Sequence, residues 1–467
     1  MQTEINKDIY KNKRIILGII LIGVLMANLD AVMLSIALPT ITTYFNVGLS
    51  QSQWVVTGYI VAMTCLLIIF GKISEYTGKT KIYIMGFSIF TVSSLICGIT
   101  TNINELIIFR IVQGMGASMV YGVMGALLYE AYPSEERGRA MGYVATTVAG
   151  AILIGPALGG LITDFLGWRY IFFINVPIGI VLVACAVKYM HIPETTLNNL
   201  KMDWIGSGTL VISIAFLLLF FGELSNSKIL VGSLLIYGAI FAVSLIIFII
   251  WEGKYETPLL DLSIFRNKLF ILPTISYMFY YIALNINNII GPFYFEGAMG
   301  YKPSEVGIFF MVVPLIMMFA SPLSGWLYDK HHWKYTTGFG MSIVAAAYIL
   351  QSYAFQKIDI GLIILTFVIA GVGSGIFQGP IYTEILDSLS DKTAIASGIA
   401  SMSRSLGVAL GVSLATILAM FELNAAGYNG VILSAGPSLL SNSIGMVVLV
   451  AGILCVISTA MSVLRNM

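Results

Sequence analysis

The chain has 467 residues, 58% of them hydrophobic and 10% charged, with a mean hydropathy of +0.92; soluble domains are about a quarter charged. That balance excludes a soluble globular fold. The formal net charge of +1, without a basic tail or low-complexity run, gives no electrostatic footprint for nucleic acid.

Crossing a hydrocarbon core ~30 Å thick takes about 20 apolar residues in a helix, and such runs recur from end to end. A β-barrel would instead show alternating segments of about ten residues. The sequence therefore predicts an all-α integral membrane protein with fourteen transmembrane helices, near 15–38, 51–71, 82–100, 105–130, 140–163, 168–189, 203–222, 229–250, 269–290, 305–328, 335–354, 359–383, 394–421 and 443–464. A basic start, Lys11 to Arg14, precedes the first run as in a signal peptide, but no small-x-small cleavage site follows, so this run is predicted to stay as the first span.

Positive charge is retained on the cytoplasmic side. With the N-terminus inside, inner segments hold eighteen Lys and Arg, and outer segments hold four: Arg169, Lys228, Lys302 and Lys357. Both termini are thus expected in the cytoplasm, and Arg110 and Arg404 stand alone as basic residues inside the predicted spans away from their ends. Cys65, Cys97, Cys185 and Cys455 fall in spans, where they act as small apolar side chains. His191, His331 and His332 fall in loops, so no histidine is available at membrane depth for acyl transfer or metal ligation.

In the first helix, Asp30 lies fifteen residues from the inner face, ~22 Å up at 1.5 Å per residue. Arg110 lies five residues into the fourth helix from outside, ~8 Å down, so the two reach nearly the same depth. A carboxylate there is a candidate proton-coupling site, because intramembrane ionisable groups face one another or a wet pathway. The alternative is a structural Asp30 bonded to Asn28, Ser35 or backbone, with Arg110 purely structural.

Between helices 2 and 3, Gly71, Glu75, Gly78 and Lys79 combine glycines, a carboxylate and cations at a membrane edge. Such a loop suits a latch whose ion pairing differs between two states, although a plain positive-inside loop has the same charges. Gly325 and Asp329, after helix 10, repeat the spacing of Gly71 and Glu75. Glu130, followed by Arg137 and Arg139, is echoed by Glu384 at the inner end of helix 12. These echoes predict two six-helix bundles, residues 1–190 and 269–467, with helices 7 and 8 inserted between them in 191–268.

In helix 5, Gly155, Pro156, Gly159 and Gly160 are expected to interrupt and kink the helix and to allow close helix contact. In helix 13, Arg404 lies ~15 Å deep, near the midplane, before Gly407 and Gly411. A central cation is a candidate for orienting a substrate, or a buried partner of a carbonyl or carboxylate.

Five segments together resemble the major facilitator superfamily, in its fourteen-helix drug:proton antiporter branch. They are Leu29-Asp30 with Ala37-Leu38-Pro39; Trp54-Val-Val-Thr57-Gly58-Tyr59; Gly71 to Lys79; Arg110-Ile-Val-Gln113-Gly114-Met-Gly116; and Gly155-Pro156 to Gly160, continuing into Trp168-Arg169-Tyr170 and Asn175-Val-Pro177-Ile-Gly179. The resemblance spans nearly the whole chain. It implies export of drugs or other lipophilic or cationic small molecules against protons by alternating access, without catalytic residues, metal or cofactor beyond a proton gradient. Coupling would run through Asp30 and Arg110, gating through the Gly71–Lys79 loop and its Asp329 counterpart, and a cytoplasmic gate through Glu130, Arg139 and Glu384. Gln113, Arg404, Trp54 and Tyr59 would line the substrate cavity. The protein would be a monomer in the cell membrane, with the lipid bilayer, protons and substrate as its partners.

Departures touch the substrate more than the fold: Glu75 stands for the usual Asp, Val32 and Ser35 for Thr and Asn, and Ser401 and Ser405 for amides flanking Arg404. An exporter of one dedicated metabolite, peptide or lipid would share nearly every feature. An importing symporter fits the helix 5 segment less well. An intramembrane lipid-modifying enzyme would need a nucleophile or metal cluster at depth, which the sequence lacks.

Overall fold

The computed structural model describes residues 2–190, 203–224, 231–255, 262–331, 333, 335–389, 393–428 and 430–464, and every regular element among them is helical. In order they are α1 (Gln2–Phe45), α2 (Leu49–Ser52), α3 (Trp54–Thr77), α4 (Lys79–Ile99), α5 (Ile103–Ala131), α6 (Ser134–Phe165), α7 (Arg169–Phe173), α8 (Asn175–Tyr189), α9 (Trp204–Leu224), α10 (Val231–Glu252), α11 (Lys268–Gly297), α12 (Pro303–His331), α13 (Thr336–Lys357), α14 (Ile360–Asp387), α15 (Thr393–Ala425) and α16 (Pro437–Leu464). Two short 3₁₀ turns, Leu262–Arg266 and Ile432–Ser434, accompany them.

Among the described residues thirteen helices are long and apolar enough to cross a bilayer, and there are fourteen if Leu49–Leu67 and Ile69–Thr77, bent by 49°, count as one span. The fourteen predicted spans match these in order. The second is bent although α3 contains no proline, and the first runs on past Pro39 to Phe45.

The physics of these helices is that of a hydrocarbon solvent, in which each backbone must satisfy itself. At the edges, side chains take over from missing backbone partners: Asn102, Asn267 and Asp359 cap α5, α11 and α14 by accepting from Asn104, Leu269 and Leu362 backbone N–H groups. Large apolar side chains point outward, among them Leu235, Ile246 and Ile250 on α10. An exposed apolar face of this kind is what lipid tails cover.

The chain divides into two compact units. The first comprises 1–37 with 54–207, and the second 38–53 with 208–467. In the first, α5 packs between α3 and α4, and α4 packs on α7 and α8; in the second, α14 packs between α12 and α13, and α13 packs on α16. The packing order of one unit is thus repeated in the other. Helix α11 packs on α15 and α16.

The interruption expected at Pro156 is not seen. Helix α6 continues through it from Ser134 to Phe165, because a proline removes a single backbone donor and the turns on either side still bond. The glycines act through close approach instead. A Cβ on Gly159 would lie 2.7 Å from the Met33 Cα, and one on Gly155 would lie 2.7 Å from Val32 Cγ1, so α1 and α6 touch almost backbone to backbone.

Gly159→Leu is therefore expected to destabilise the first unit by the ~1–3 kcal/mol or more of an overpacked contact. Gly150→Ala, one of the positions with open space around it, should be tolerated. Thermal unfolding of the purified chain in detergent checks this, and equal melting temperatures for the two variants would contradict it.

Candidate functional site

Within the first unit, side chains from α4, α5 and α8 gather around Asp30 of α1. Arg110 and Gln113 sit three residues apart on α5 and so share one face. Arg110 Nη1 donates to Asp30 Oδ2 at 2.5 Å and to Gln113 Oε1 at 2.7 Å, and its Nε donates to the Val55 carbonyl of α3 at 3.0 Å. Gln113 Nε2 donates to Asp30 Oδ1 at 3.2 Å and to Ser94 Oγ of α4 at 2.7 Å. Asn175, the first residue of α8, donates Nδ2 to Asp30 Oδ1 at 2.8 Å. Both oxygens of the carboxylate are engaged.

The pair is sealed from solvent. Asp30, Arg110 and Gln113 are each 0% exposed, and the guanidinium carbon lies 4.3 Å from the centroid of the Tyr59 ring and 5.7 Å from that of Phe172. A cation over ring faces gains electrostatic attraction without losing its in-plane hydrogen bonds. While Asp30 is ionised the cluster is neutral as a whole. Removing that negative charge would leave the buried guanidinium uncompensated, which is costly in an apolar interior.

Asp30 and Arg110, expected at one level from their positions along the helices, are in direct contact. The alternative partners of Asp30 bond elsewhere: Asn28 donates to the Val24 carbonyl and to the Tyr121 hydroxyl, both at 2.7 Å, and Ser35 to the Val32 carbonyl at 2.7 Å. Gln113 and Tyr59, expected to line a substrate cavity, lie buried against the ion pair. Trp54 is half-buried at the start of α3, and Arg404 is half-buried on α15. Sequence reasoning gave no role to Asn175 or Ser94. Asn175 carried a signal, as the sole amide side chain within 169–189; Ser94 carried none.

At the opposite end of the first unit from the loop between α4 and α5, the residues 71–79 lie where α3 meets α4. Gly78 adopts a φ of +98°, a backbone state that suits glycine alone, and α4 starts at the next residue. That turn delivers Lys79 to Glu130 at the end of α5 as an ion pair. Glu75 pairs with Lys72 on its own helix at 2.8 Å, both side chains about two-fifths exposed. A second pair, Lys13 with Glu136 at 2.6 Å, ties the start of α1 to α6, and the Tyr132 hydroxyl donates to the Lys13 carbonyl at 3.1 Å. In the second unit Glu384 is buried and accepts from the Thr337 hydroxyl at 3.4 Å. The side chains of Arg139 and Asp329, and residues 191–202 with His191, lie outside the described residues.

The second unit has a neutral counterpart of the ion pair. Thr336 opens α13 as far along the chain from Lys79, which opens α4, as Ile360 opening α14 lies from Ile103, which opens α5. At that same spacing Asn287 answers Asp30, Gln351 answers Ser94, Phe367 answers Arg110 and Ala370 answers Gln113. Gln351 Nε2 donates to Asn287 Oδ1 at 3.0 Å, both residues buried. The position is polar in both units and ionisable in the first alone.

Comparison with known proteins agrees with this architecture. The family model described as Major Facilitator Superfamily matches residues 20–412. The chain is similar to Riboflavin transporter RibZ of Clostridioides difficile (strain 630), 34% identical over 381 residues covering 80% of this chain and 81% of that one. It is also similar to Probable multidrug resistance protein EmrY of Escherichia coli (strain K12), 30% identical over 364 residues, 77% and 70% of the two chains. Among solved structures, a bacterial homolog to the human lysosomal transporter Spinster shares the fold with a TM-score of 0.68 at 14% identity, covering 97% of each chain.

Because Arg110 and Asp30 neutralise each other, removing one strands the other. Arg110→Ala is expected to cost about 3–5 kcal/mol, and the double variant Asp30→Ala/Arg110→Ala less than Arg110→Ala alone. Unfolding of the purified variants by heat or denaturant measures this; a double variant at least as unstable as the single one would contradict the pairing.

Proposed function

This chain belongs to the major facilitator superfamily, and we propose that within it the protein is a proton-coupled efflux antiporter for lipophilic small molecules, working by alternating access. That the chain is a multi-pass membrane transporter, and not an enzyme, follows from the family and the spans. Coupling to protons, outward direction and cargo are the proposed part. So are residence in the cell membrane with cytoplasmic termini, a monomeric state, and the division into bundles 1–190 and 269–467 with 191–268 inserted.

The observation that carries the reading is Asp30, a titratable group fully buried beside a permanent cation within a membrane-spanning bundle. Such a group is expensive in an apolar interior and has a use where its charge is switched. With Asp30 ionised, Arg110, Gln113 and Asn175 hold α1, α5 and α8 together through one carboxylate. Protonation weakens the Arg110 bond by removing its charged acceptor, and the guanidinium must then find water or another partner. A bundle with two discrete arrangements converts that demand into a population shift. The Lys79–Glu130 pair at the end of α5 is the proposed gating contact, because it must break if α4 and α5 part there.

A second reading, export of one dedicated solute, is favoured by the 34% identity to a protein named as a riboflavin transporter, just as the multidrug reading is favoured by the relative named as a probable multidrug resistance protein. The residues around Asp30 serve either.

The test is transport into proteoliposomes with and without an imposed pH gradient, using riboflavin and a panel of lipophilic dyes. Gradient-driven accumulation of at least one of them is expected for the wild type. Asp30→Asn should abolish that accumulation while leaving the protein folded, because the amide keeps the shape but cannot titrate. Gradient-driven accumulation by Asp30→Asn equal to wild type would remove the carboxylate from the mechanism.

A further inference from the structure

Helices α1 and α8 meet where Asn175 donates to Asp30 at 2.8 Å, but toward the start of α1 they leave space between them. A cleft of about 360 Å³ opens there, walled by Ile19 and Ile22 of α1 and by Pro177, Ile178, Val181 and Cys185 of α8. Ile22, Ile178 and Val181 are exposed, so the cleft is an open groove and not a sealed void.

The two walls agree in depth. Ile19 and Ile22 lie five and eight residues beyond Arg14, ~8 and ~12 Å along α1. Helix α8 crosses in the opposite sense, as the sixth span against the first, and its Cys185, Val181 and Ile178 lie three, seven and ten residues before Lys188, ~5, ~10 and ~15 Å along it. One leaflet is half of a ~30 Å core, so the cleft lies within a single leaflet with Arg14 and Lys188 at its edge. Val181, Cys185 and Lys188 follow at spacings of four and three and share one face of α8. Both cations are exposed, and among the described residues neither has an ion-pair partner. The carboxylate of Glu136, at the same edge, is taken by Lys13 at 2.6 Å. Lys188 Nζ lies 5.2 Å from the centroid of the Tyr189 ring, and tyrosines are enriched where a span reaches the headgroups.

Apart from the Cys185 thiol no polar side chain lines the cleft, so water finds no partners in it. No aromatic ring lines it either, so a flat aromatic body gains no stacking face. A flexible hydrocarbon chain needs only apolar contact, and cations at the mouth of a cleft between spans suit a phosphate. We infer that the α1–α8 cleft binds an anionic phospholipid of the leaflet at that edge, with an acyl chain between the helices and the headgroup phosphate on Lys188 and Arg14. Pro177, at the far end of the cleft, is two residues from Asn175, so the chain would fill the seam beside the bond that holds Asp30. The inference rests on the chain spanning a membrane, and on neither proton coupling nor the identity of the cargo.

Native mass spectrometry of the purified full-length chain in detergent, titrated with phosphatidylglycerol or with phosphatidylcholine of the same acyl chains, tests it. The wild type should retain phosphatidylglycerol about tenfold or more tightly than phosphatidylcholine, since each cation near a headgroup contributes about fivefold. Lys188→Gln should weaken phosphatidylglycerol about fivefold and phosphatidylcholine by less than twofold, and Arg14→Gln/Lys188→Gln should remove most of the preference. Lys357→Gln, at an exposed lysine ending α13, controls for charge and should leave the preference intact. Val181→Trp fills the cleft and should weaken both lipids several-fold, whereas Ile180→Trp places the same ring at an exposed position outside the cleft and should bind as the wild type does. Ile22→Trp fills the cleft from the other wall and takes the place of Val181→Trp should that variant misfold. Equal retention of the two lipids by the wild type, an unchanged preference in the double cation variant, or equal binding by the cleft-filling and Ile180→Trp variants would overturn the inference. So would a dimer of the chain that Val181→Trp abolishes and neither headgroup affects, which would make a second copy the occupant.

Discussion

A carboxylate and a guanidinium, each fully buried between apolar helices, are tolerable only together, and the first unit is organised around keeping them so. Asp30 stands on α1, Arg110 and Gln113 on α5, Asn175 on α8, Ser94 on α4, and the Val55 carbonyl on α3. Five helices are therefore tied through one ion pair and its hydrogen bonds. Low dielectric strengthens each of these bonds and makes each missing one costly. The glycine contacts that bring α6 against α1 place the backbone for the same assembly.

The duplicated unit clarifies what that charge does. Packing order is repeated, and so is a buried polar contact between the helices equivalent to α1 and α4, yet there it is Asn287 with Gln351, flanked by Phe367 and Ala370 where the first unit has Arg110 and Gln113. An amide pair supplies hydrogen bonding and helix registration with nothing to titrate. The same contrast recurs at the starts of α4 and its counterpart α13, where Lys79 pairs with Glu130 while the equivalent residue is Thr336, beside Thr337 and its bond to Glu384. In our reading one unit carries the proton-linked charge and the other carries a neutral frame at the equivalent position.

Much of this was legible in the sequence because hydrocarbon leaves few options. Runs of apolar residues fix the spans, and depth follows from 1.5 Å per residue, so two ionisable side chains at one level, Asp30 and Arg110, could be matched without coordinates. Depth says nothing of azimuth. Ser94 and Asn175 complete the cluster, but uncharged polar residues are common in spans and only packing tells which of them face the carboxylate. The bend near residue 68 has no proline to announce it, and Pro156 announces a break that neighbouring turns prevent. Tyr59 and Gln113 belong to a recognisable segment, yet their burial against Arg110 depends on how α3 leans on α5. The Lys13–Glu136 pair joins residues 123 apart, and no local pattern connects them.

The central claim is that Asp30 changes its proton occupancy as the protein binds and moves cargo. The most direct measurement is proton release or uptake on ligand binding, followed with a pH indicator in weakly buffered detergent solution, for wild type and Asp30→Asn, using whichever transported compound gives the strongest binding. The account predicts a proton exchanged by the wild type and none by the variant. The same proton signal from both proteins would contradict it.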